Sequence, residues 1–468
     1  MSSSFRNGCL LAAMLSVACA AQAKTPVVQG WLTSADGSQR LAPMADIKTV
    51  TLPAGQQADI IVDPKTRYQR MAGFGASITD ATAWLIQTRM SEKARNDLLR
   101  ELFSVRDSIG FSVTRITVGA SDFSQSHYTY ADTPGNPVAD ITPARAHLIP
   151  TLKAIRKINP RLQVIATPWS APAWMKTSNS LIKGRLKPEN YGSFARYLVS
   201  YTQAMRKAGT PVDILTIQNE PHFEPENYPG MRVEPAERAE FIANHLGPLM
   251  RRSLPGTKLL DWDHNWDQPE SPAAVLSDAK ASAFVDGVAW HCYAGDVAAQ
   301  SVVRDRFPSK EVWFTECASG NWSGDWSKSF NWAMRQLIIG TTRNWAKGVV
   351  MWNLALDEKH GPHLGGGGDC RGLVTINSIS GEVTREPEYY AFAHASKFVP
   401  VGAVRIASNS SNKAIESVAF QKGAKGPITL IVLNGAGMER SLSFDVGGKK
   451  FAANMPAGSV ATYKLLPQ

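Results

Sequence analysis

The chain has 468 residues, more than one hydrophobic core usually holds, so two domains or one large barrel with an appendage are expected. Its 50 basic and 40 acidic residues give a formal net charge of +10 without a run of five like charges, which disfavours nucleic acid as a partner. Beyond the amino terminus, no apolar stretch approaches the roughly 20 residues that cross a bilayer, which argues against stable membrane insertion.

Residues 1–23 have the layout of a secretory signal peptide. Arg6 precedes an apolar run from Cys9 to Ala20, and Ala21-Gln22-Ala23 has the small-x-small pattern of a cleavage site. We therefore expect a secreted or periplasmic protein, and a monomer is the simplest expectation for its oligomeric state. Cys19 leaves a lipoprotein anchor open as an alternative.

Short alternating segments follow the leader. Val27–Leu32, Ile47–Leu52 and Ala58–Val62 have the period of β-strands, so residues 24–64 are assigned to the amino-terminal part of a β-sandwich.

Residues 65–396 alternate between short β-branched runs and longer stretches with helical periodicity, a pattern typical of consecutive β/α units. Residues typical of helix starts, followed by apolar residues at helical spacing, predict helices at Ser91–Phe103, Pro143–Ile158 and Asn190–Ala208. The predicted strands are Phe74 with its neighbours, Val113–Ile116, Val164–Thr167, Ile214–Gln218, Lys258–Leu260, Val288–Trp290, Val312–Thr315 and Gly348–Met351. This alternation predicts an α/β fold, a (β/α)8 TIM barrel.

Strand-like segments return in residues 397–468, separated by turns that contain glycine. They are Val404–Ala407, Ser417–Gln421, Ile428–Leu433, Ser441–Phe444, Lys450–Asn454 and Ala461–Leu465. Both chain ends are therefore expected to build one β-sandwich appended to the barrel.

Two glutamates stand at the carboxyl ends of predicted barrel strands, where TIM-barrel enzymes carry their active sites. Glu220 follows the fourth strand and Glu316 ends the seventh. A buried acidic residue is costly unless it has a partner or a function, and glycoside hydrolysis needs one carboxylic acid and one carboxylate on either side of the scissile bond. The alternative is that each glutamate closes a structural salt bridge with an arginine at the barrel rim.

Aromatic residues at the same strand ends favour a sugar-binding cleft, because sugars stack their C–H faces on rings. The aromatic and polar residues concerned are Trp169, Trp174, Trp262, Trp266, His291, Tyr293, and Trp352 with Asn353. Trp31, Trp84 and Trp332 are interpreted as core residues.

Four segments together resemble glycoside hydrolase family 30, which includes glucosylceramidases and β-1,6-glucanases. They are Gly73–Asp80, Thr167–Thr177, Asn219-Glu220-Pro221 and Trp352–Asp357, and the resemblance extends from about residue 69 to 400. It implies a (β/α)8 barrel with a β-sandwich, hydrolysis of a β-glycosidic bond with retention of configuration, and no metal or organic cofactor.

The resemblance also implies individual roles. Glu220 corresponds to the general acid/base and Glu316 to the nucleophile, while Asn219 is expected to face the sugar 2-hydroxyl. Arg115 is expected beside Glu316, where its permanent positive charge keeps a carboxylate ionised. The other residues expected to bind substrate are Asp122, Trp169, Tyr228, His291, Tyr293 and Trp352.

Substrate identity is predicted less directly. The segment Tyr228–Met231 and the loop Gly361–Ile376 resemble the β-1,6-glucanase members, so a secreted endo-β-1,6-glucanase is expected, with a glucosylceramidase or another exo-acting β-glucosidase as the alternative. Cys292 and Cys317 depart from the pattern of glucosylceramidases and are interpreted as small core residues. With Cys370 they make an odd number outside the leader, which allows at most one disulfide.

Three other classes of protein fit the sequence less well. A carbohydrate-binding protein without activity is expected to have lost one carboxylate, whereas both are present. A nucleic-acid-binding protein rests on net charge alone. A metal-dependent hydrolase could draw on His264, His291, His360 and His363, but these residues lack a spacing such as H-E-x-x-H.

Overall fold

The computed structural model describes residues 1, 28–45, 47, 50–53 and 56–466. Apart from Met1, the predicted signal peptide lies outside the described residues. None of the helices in the part of the chain that the structure describes is both long and apolar enough to cross a membrane.

Eight parallel strands close into a barrel, which confirms the predicted fold class. Barrel strands one to eight are Gly73–Ala76, Val113–Val118, Gln163–Pro168, Ile214–Thr216, Lys258–Asn265, Gly287–His291, Glu311–Glu316 and Ala346–Met351. Each of the predicted runs overlaps one of them. Strand eight pairs with strand one in parallel, with Gly348 opposite Gly73, and this pairing closes the ring.

One apolar layer fills the barrel interior. It takes one residue from each strand or its start: Ala72, Val113, Ile165, Ile214, Leu260, Ala289, Trp313 and Val350. Because side chains alternate along a strand, the residues two positions further point into the same interior, one layer closer to the carboxyl ends. This second layer is mostly polar and forms the floor of the site described below.

Helices cover the outside of the barrel. The α-helices are Asp80–Thr88, Glu92–Phe103, Leu148–Ile158, Tyr191–Lys207, Pro235–Phe241, Gly247–Ser253, Glu270–Ser277, Ala279–Ser282, Ala299–Arg306, Trp326–Trp332, Thr341–Arg343 and Pro387–Ser396, with π-helical turns at Ile242–Leu246 and Ala333–Gly340. The predicted helix Pro143–Ile158 is divided, because a 3-10 turn at Pro143–Arg145 precedes the α-helix Leu148–Ile158. Further 3-10 turns are Ala173–Met175, Pro188–Asn190 and Asn321–Ser323.

A nine-stranded sheet forms the second unit and draws on both chain ends, as predicted. Its strands are Val28–Thr33, Ala42–Pro43, Ile60–Arg70, Val404–Ser410, Ile415–Gln421, Ile428–Asn434, Arg440–Val446, Lys449–Met455 and Val460–Leu465. The rings of Phe444 and Phe451 pack on Tyr463 from the other half of the sheet. The two halves of the folded sheet therefore enclose an apolar core. The predicted strand Ile47–Leu52 is wrong for its described residues, since Ile47 makes only an isolated bridge with Val28.

Short strands complete loops near the carboxyl ends of the barrel. Ser319–Gly320 pairs with Cys370–Arg371, and Ala355–Leu356, Val374–Ile376 and Val383–Arg385 form a small separate sheet.

Candidate active site

The polar layer at the barrel mouth follows from strand periodicity. Arg115, Thr167, Thr216, His291 and Thr315 each stand two residues beyond a member of the apolar layer, and all are buried. In strand five the period of two would place Trp262 in the interior, but Asp263 takes this position. The reason is that Trp262 and Asp263 both have a left-handed backbone, with φ of 78° and 54°. Such conformations cost about 1–3 kcal/mol each and cluster at functional sites.

Arg115 organises the carboxylates of this layer. Its guanidinium donates to Glu316 Oε2 at 2.5 Å, to Asp263 Oδ2 at 2.9 Å and to Asn219 Oδ1 at 2.7 Å. Glu316 Oε1 accepts a second hydrogen bond from the hydroxyl of Tyr293 at 2.9 Å. Both oxygens of Glu316 are therefore held by donors, one of them permanently charged.

Asp263 is the negative centre beneath the site. Besides Arg115 it accepts hydrogen bonds from the hydroxyls of Thr216 at 2.7 Å and Thr315 at 2.6 Å. Burial opposes its charge, but Arg115 and the hydrogen bond from His291 hold the pKa of Asp263 well below its usual range. Asp263 is thus a permanent buried anion that needs its cationic partners.

His291 connects this anion to Glu220. Its Nε2 lies 3.0 Å from Asp263 Oδ1 and its Nδ1 lies 3.1 Å from Glu220 Oε1. Burial disfavours the charged imidazole, but the charge of Glu316 and the hydrogen bonds with Asp263 and Glu220 raise the pKa of His291 to about 9. At neutral pH the ring is an imidazolium that donates from both nitrogens.

Glu220 has a different environment from Glu316. Burial raises the pKa of Glu220, an effect that its hydrogen bond with His291 opposes and that the charge of Glu316 reinforces. Its backbone is left-handed, with φ of 46°, and its N–H donates to the carbonyl of Asp263 at 3.0 Å. One carboxylate oxygen of Glu220 lies within 4.8 Å of one of Glu316.

Three side chains of this site also have the types and spacing of metal ligands. Among the described residues, Glu220, His291 and Glu316 bring ligand atoms within 4.8 Å of one another. Both ring nitrogens of His291 already have carboxylate partners, Asp263 at 3.0 Å and Glu220 at 3.1 Å. His360 and His363 belong to the loop above the site and do not join the group.

Aromatic rings form one wall. Trp169 and Trp352 stack with ring centroids 5.1 Å apart, and the guanidinium carbon of Arg115 lies 4.8 Å from the centroid of the Trp169 ring. Asp122 lines the cleft beside Trp352, and its burial, together with the charge of Glu316, raises its pKa to about 8. A neutral Asp122 can donate a hydrogen bond as well as accept one.

The cleft above these residues has a volume of about 360 Å³. Tyr228 lines the cleft next to the four glycines at residues 365–368. A Cβ added at Gly366 would stand 2.7 Å from the Tyr228 ring, so a side chain at this position would collide with the ring. At the rim, Phe223 is 44% exposed and Trp322 is 59% exposed. Both rings line the cleft and are open to solvent, so they are available to a ligand that extends beyond the polar pocket.

All ten predicted site residues therefore lie together, but several strand-end tryptophans do not face the cleft. Trp262 and Trp266 are buried in the core, where the indole N–H of Trp262 donates to the carbonyl of Asn265 and that of Trp266 donates to Gln300 Oε1. Trp174 is partly buried and donates to the carbonyl of Ala131. The expectation that these three line the cleft is wrong. In strand five the left-handed backbone at Trp262 and Asp263 breaks the alternation of side chains, whereas Trp174 lies in the 3-10 turn Ala173–Met175 after strand three and packs toward Ala131.

The cysteines also differ from expectation. Cys292 and Cys317 form a disulfide with Cα atoms 5.5 Å apart, and Cys370 is a buried free thiol that lines the cleft. The interpretation of Cys292 and Cys317 as separate small core residues is wrong, because strands six and seven are neighbours and place the two side chains side by side.

Sequence reasoning missed Asp263 and the rim residues Phe223 and Trp322 as parts of the site. Asp263 lies three residues beyond the predicted end of strand five at Leu260, and the left-handed backbone at Trp262 and Asp263 breaks the period of two that predicts which side chains face the interior. The rim residues follow the strand ends by several positions and have no periodic signal.

Comparisons with known proteins agree with this arrangement. The family model described as the glycosyl hydrolase family 30 TIM-barrel domain matches residues 71–399, and the glycosyl hydrolase family 30 beta sandwich domain matches residues 402–463. Endo-1,6-beta-D-glucanase neg1 of Aspergillus fumigatus is 36% identical over 431 residues, covering 85% of this chain and 85% of that protein. Lysosomal acid glucosylceramidase of Mus musculus is 29% identical over 441 residues, covering 86% and 82%.

A solved structure extends the comparison to three dimensions. The endo-beta1,6-glucanase BT3312 superimposes with a TM-score of 0.88 at 34% identity, covering 94% of this chain and 100% of that one. Matched over both of its units, the chain belongs to glycoside hydrolase family 30 and is a glycosidase.

Proposed function

We propose that this glycosidase is an endo-β-1,6-glucanase that retains anomeric configuration, with Glu316 as the nucleophile and Glu220 as the general acid/base. The observation that carries the proposal is the unequal environment of two facing carboxyl groups. Glu316 is bound by Arg115 and Tyr293, which favour the carboxylate, whereas burial raises the pKa of Glu220 and favours the protonated acid. Retaining glycosidases hold such groups about 5–5.5 Å apart, and inverting ones hold them roughly 6.5–9.5 Å apart. The oxygens of Glu220 and Glu316 that lie within 4.8 Å of each other support the retaining class.

In the first step Glu220 gives its proton to the glycosidic oxygen while a Glu316 oxygen attacks the anomeric carbon. The bond between that carbon and the leaving oxygen breaks, and a glycosyl ester forms on Glu316. His291 occupies only Oε1 of Glu220, so the proton is carried by Oε2. Asn219, oriented by Arg115, donates through its amide nitrogen toward the sugar 2-hydroxyl.

In the second step water replaces the leaving group and the roles of Glu220 reverse. Once Glu316 is an ester, its negative charge no longer raises the pKa of Glu220, so Glu220 stays ionised after giving up its proton and can accept one from the attacking water. Attack of the water on the anomeric carbon restores the β-configuration and frees Glu316.

The substrate class rests on the relatives and on the rim. The named endo-1,6-beta-D-glucanases of Aspergillus fumigatus and Trichoderma harzianum are 36% and 34% identical to this chain, against 29% for the mouse glucosylceramidase. A polymer extends beyond the scissile bond and needs contacts there, which the exposed rings of Phe223 and Trp322 can supply by stacking on further glucose units.

Export is part of the proposal. Disulfides persist in oxidising compartments, so the bond between Cys292 and Cys317 supports a protein that acts outside the cytoplasm. The described residues of one chain complete the cleft, and we take the monomer as the working form. Sequencing the amino terminus of the protein recovered from outside the cytoplasm should give Lys24 as the first residue; an intact Met1 would contradict cleavage.

The test of substrate is hydrolysis of a linear β-1,6-glucan and of glucosylceramide by the same preparation, with the variant Glu316→Gln as a matched control. The wild type should release gluco-oligosaccharides of several lengths early in the reaction, and the variant should release none. Glucose as the sole early product would indicate exo action. Release of ceramide with an untouched glucan would favour the glucosylceramidase alternative.

A further inference from the structure

We propose that the disulfide between Cys292 and Cys317 is a positioning element of the active site and that a dithiol reductant lowers activity by breaking it. The inference rests on the proposed roles of Glu316 and Glu220 and goes beyond them. It assigns to two residues of the fold the task of holding Tyr293 against the nucleophile.

The disulfide begins where backbone pairing between strands six and seven ends. The last pair of that ladder is His291 opposite Glu316, and the register shifts just before it, between Phe314 and Glu316. Cys292 and Cys317 are the next residue on each strand. The covalent bond therefore replaces ladder hydrogen bonds at the point where the two side chains of the site must be aligned.

Every neighbour of the two cysteines contacts a reacting group or the wall beside it. His291, before Cys292, contacts Glu220; Tyr293, after Cys292, donates to Glu316 Oε1. Cys317 follows Glu316, and its carbonyl accepts from the N–H of Trp352 at 2.9 Å. A shift of either cysteine moves at least one of these side chains.

Tyr293 is the residue that depends most on this link. Its side chain is 45% exposed, so packing alone constrains it weakly, and the segment 292–298 contains no helix or strand. Its backbone N–H donates to Asn265 Oδ1 at 2.9 Å, which leaves the disulfide as the covalent constraint on the same short segment. Misplacement of a catalytic contact by about 1 Å can cost about 100-fold in rate.

The redox step is an ordinary thiol–disulfide exchange. A thiolate of the reductant attacks Cys292 Sγ, the more exposed of the two sulfurs, and Cys317 leaves as a thiolate that takes up a proton. The second thiol of the reductant then displaces Cys292 and closes its own disulfide. Two electrons pass to the protein, and two cysteine thiols are formed.

The experiment measures how fast an activated 2-fluoroglucoside forms its covalent adduct on Glu316, with the site identified by peptide mass spectrometry. We compare the oxidised wild type, the wild type after a dithiol, and Cys292→Ala/Cys317→Ala. Both forms without the bond should react about 10- to 100-fold more slowly at a temperature where circular dichroism shows them folded. The dithiol should not change the double variant, which controls for other effects of the reductant.

A cycle with Tyr293→Phe separates positioning from general stability. If the disulfide acts by placing the Tyr293 hydroxyl, breaking it in the Tyr293→Phe background should cost less than about threefold, because coupled residues are non-additive. Equal adduct rates with and without the bond, or a full additional loss in the Tyr293→Phe background, would overturn the inference. If the reduced wild type and the double variant lose only melting temperature, the bond is merely structural.

This readout is independent of the natural substrate. Failure to cleave a β-1,6-glucan would contradict the proposed function. The adduct rates would still test whether the disulfide positions Tyr293. An adduct on a residue other than Glu316 would overturn both proposals.

Discussion

At the scale of single residues, the site is a balance of buried charge. Arg115 and the imidazolium of His291 offset Asp263 and Glu316, while Glu220 remains the group that can exchange a proton. Buried charges are tolerated when each is paired and hydrogen-bonded, and each of these four is. The two glutamates therefore lie a few ångströms apart in unlike environments, one bound by Arg115 and Tyr293 and the other by His291.

The two glutamates should fail differently when they are replaced. Glu316→Ala should lose turnover on every substrate, because no glycosyl ester can form. Glu220→Ala should lose about 100- to 10,000-fold on the glucan but far less on an aryl glucoside whose leaving group departs without a proton. Azide should accelerate Glu220→Ala and yield a glucosyl azide. Equal inactivity on both substrates, with no effect of azide, would move the acid/base role elsewhere.

Asp122 should set part of the alkaline limb of the activity profile. Its pKa of about 8 means that it is neutral below that pH and becomes an additional anion above it, close to Glu316. In the wild type kcat/KM should fall as pH rises through about 8, and Asp122→Asn should shift this fall toward the pKa of about 9 of His291. Asp122→Ala should lose about tenfold below pH 8, since a hydrogen bond of about 1.4 kcal/mol is removed, and the loss should be smaller above that pH, where the wild type itself loses activity. An unchanged limb in Asp122→Asn would contradict a neutral Asp122.

At the scale of elements, strand periodicity predicts much of the site. Barrel strands were predictable because short β-branched runs stand between helical stretches, and Glu220 and Glu316 were predictable because they end such runs. Asp263 and the disulfide could not be predicted in this way. The left-handed backbone at Trp262 and Asp263 breaks the period of two, and the pairing of Cys292 with Cys317 depends on which strands are neighbours in the closed barrel.

Loops at the barrel mouth should determine how polymer is bound. Phe223→Ala and Trp322→Ala should each raise KM for a β-1,6-glucan by about three- to thirtyfold, as expected for the loss of about 0.6–2 kcal/mol of stacking. Neither change should alter the rate with a small aryl glucoside, which ends at the scissile bond. Trp332→Phe serves as the matched control, because Trp332 lies on an outer helix and is partly buried against the core. A polymer KM that is unchanged in both rim variants would contradict the rim contacts.

At the scale of the whole molecule, the barrel and the sheet share a continuous apolar core that includes Phe392 of the last helix and Ile431 of the sheet. His394 is buried between them, and its ring nitrogens bond the hydroxyls of Thr462 and Thr33, both at 2.8 Å. The two units are therefore expected to unfold in one transition, with His394 as the polar contact at their junction.

The junction should make stability depend on pH. Burial lowers the pKa of His394 to about 3, so the folded protein keeps this ring neutral while the unfolded chain protonates it below about 6.5. The unfolded state then binds more protons, and His394 removes up to about 1.4 kcal/mol of unfolding free energy per pH unit as pH falls from 6.5 toward 3. Thermal melts from pH 7 to 4 should show a shallower decline for His394→Gln than for the wild type. Parallel curves would contradict a neutral His394.

The measurement that tests the central claim most directly is the anomeric configuration of the first product. Proton NMR during the first minutes of β-1,6-glucan hydrolysis, at an enzyme concentration that outpaces mutarotation, should show β-anomeric reducing ends appearing before the α-anomer. That result is required if Glu316 forms a glycosyl ester and Glu220 then directs water to the same face. Initial formation of the α-anomer would contradict the account, because it would mean direct displacement by water without attack by Glu316.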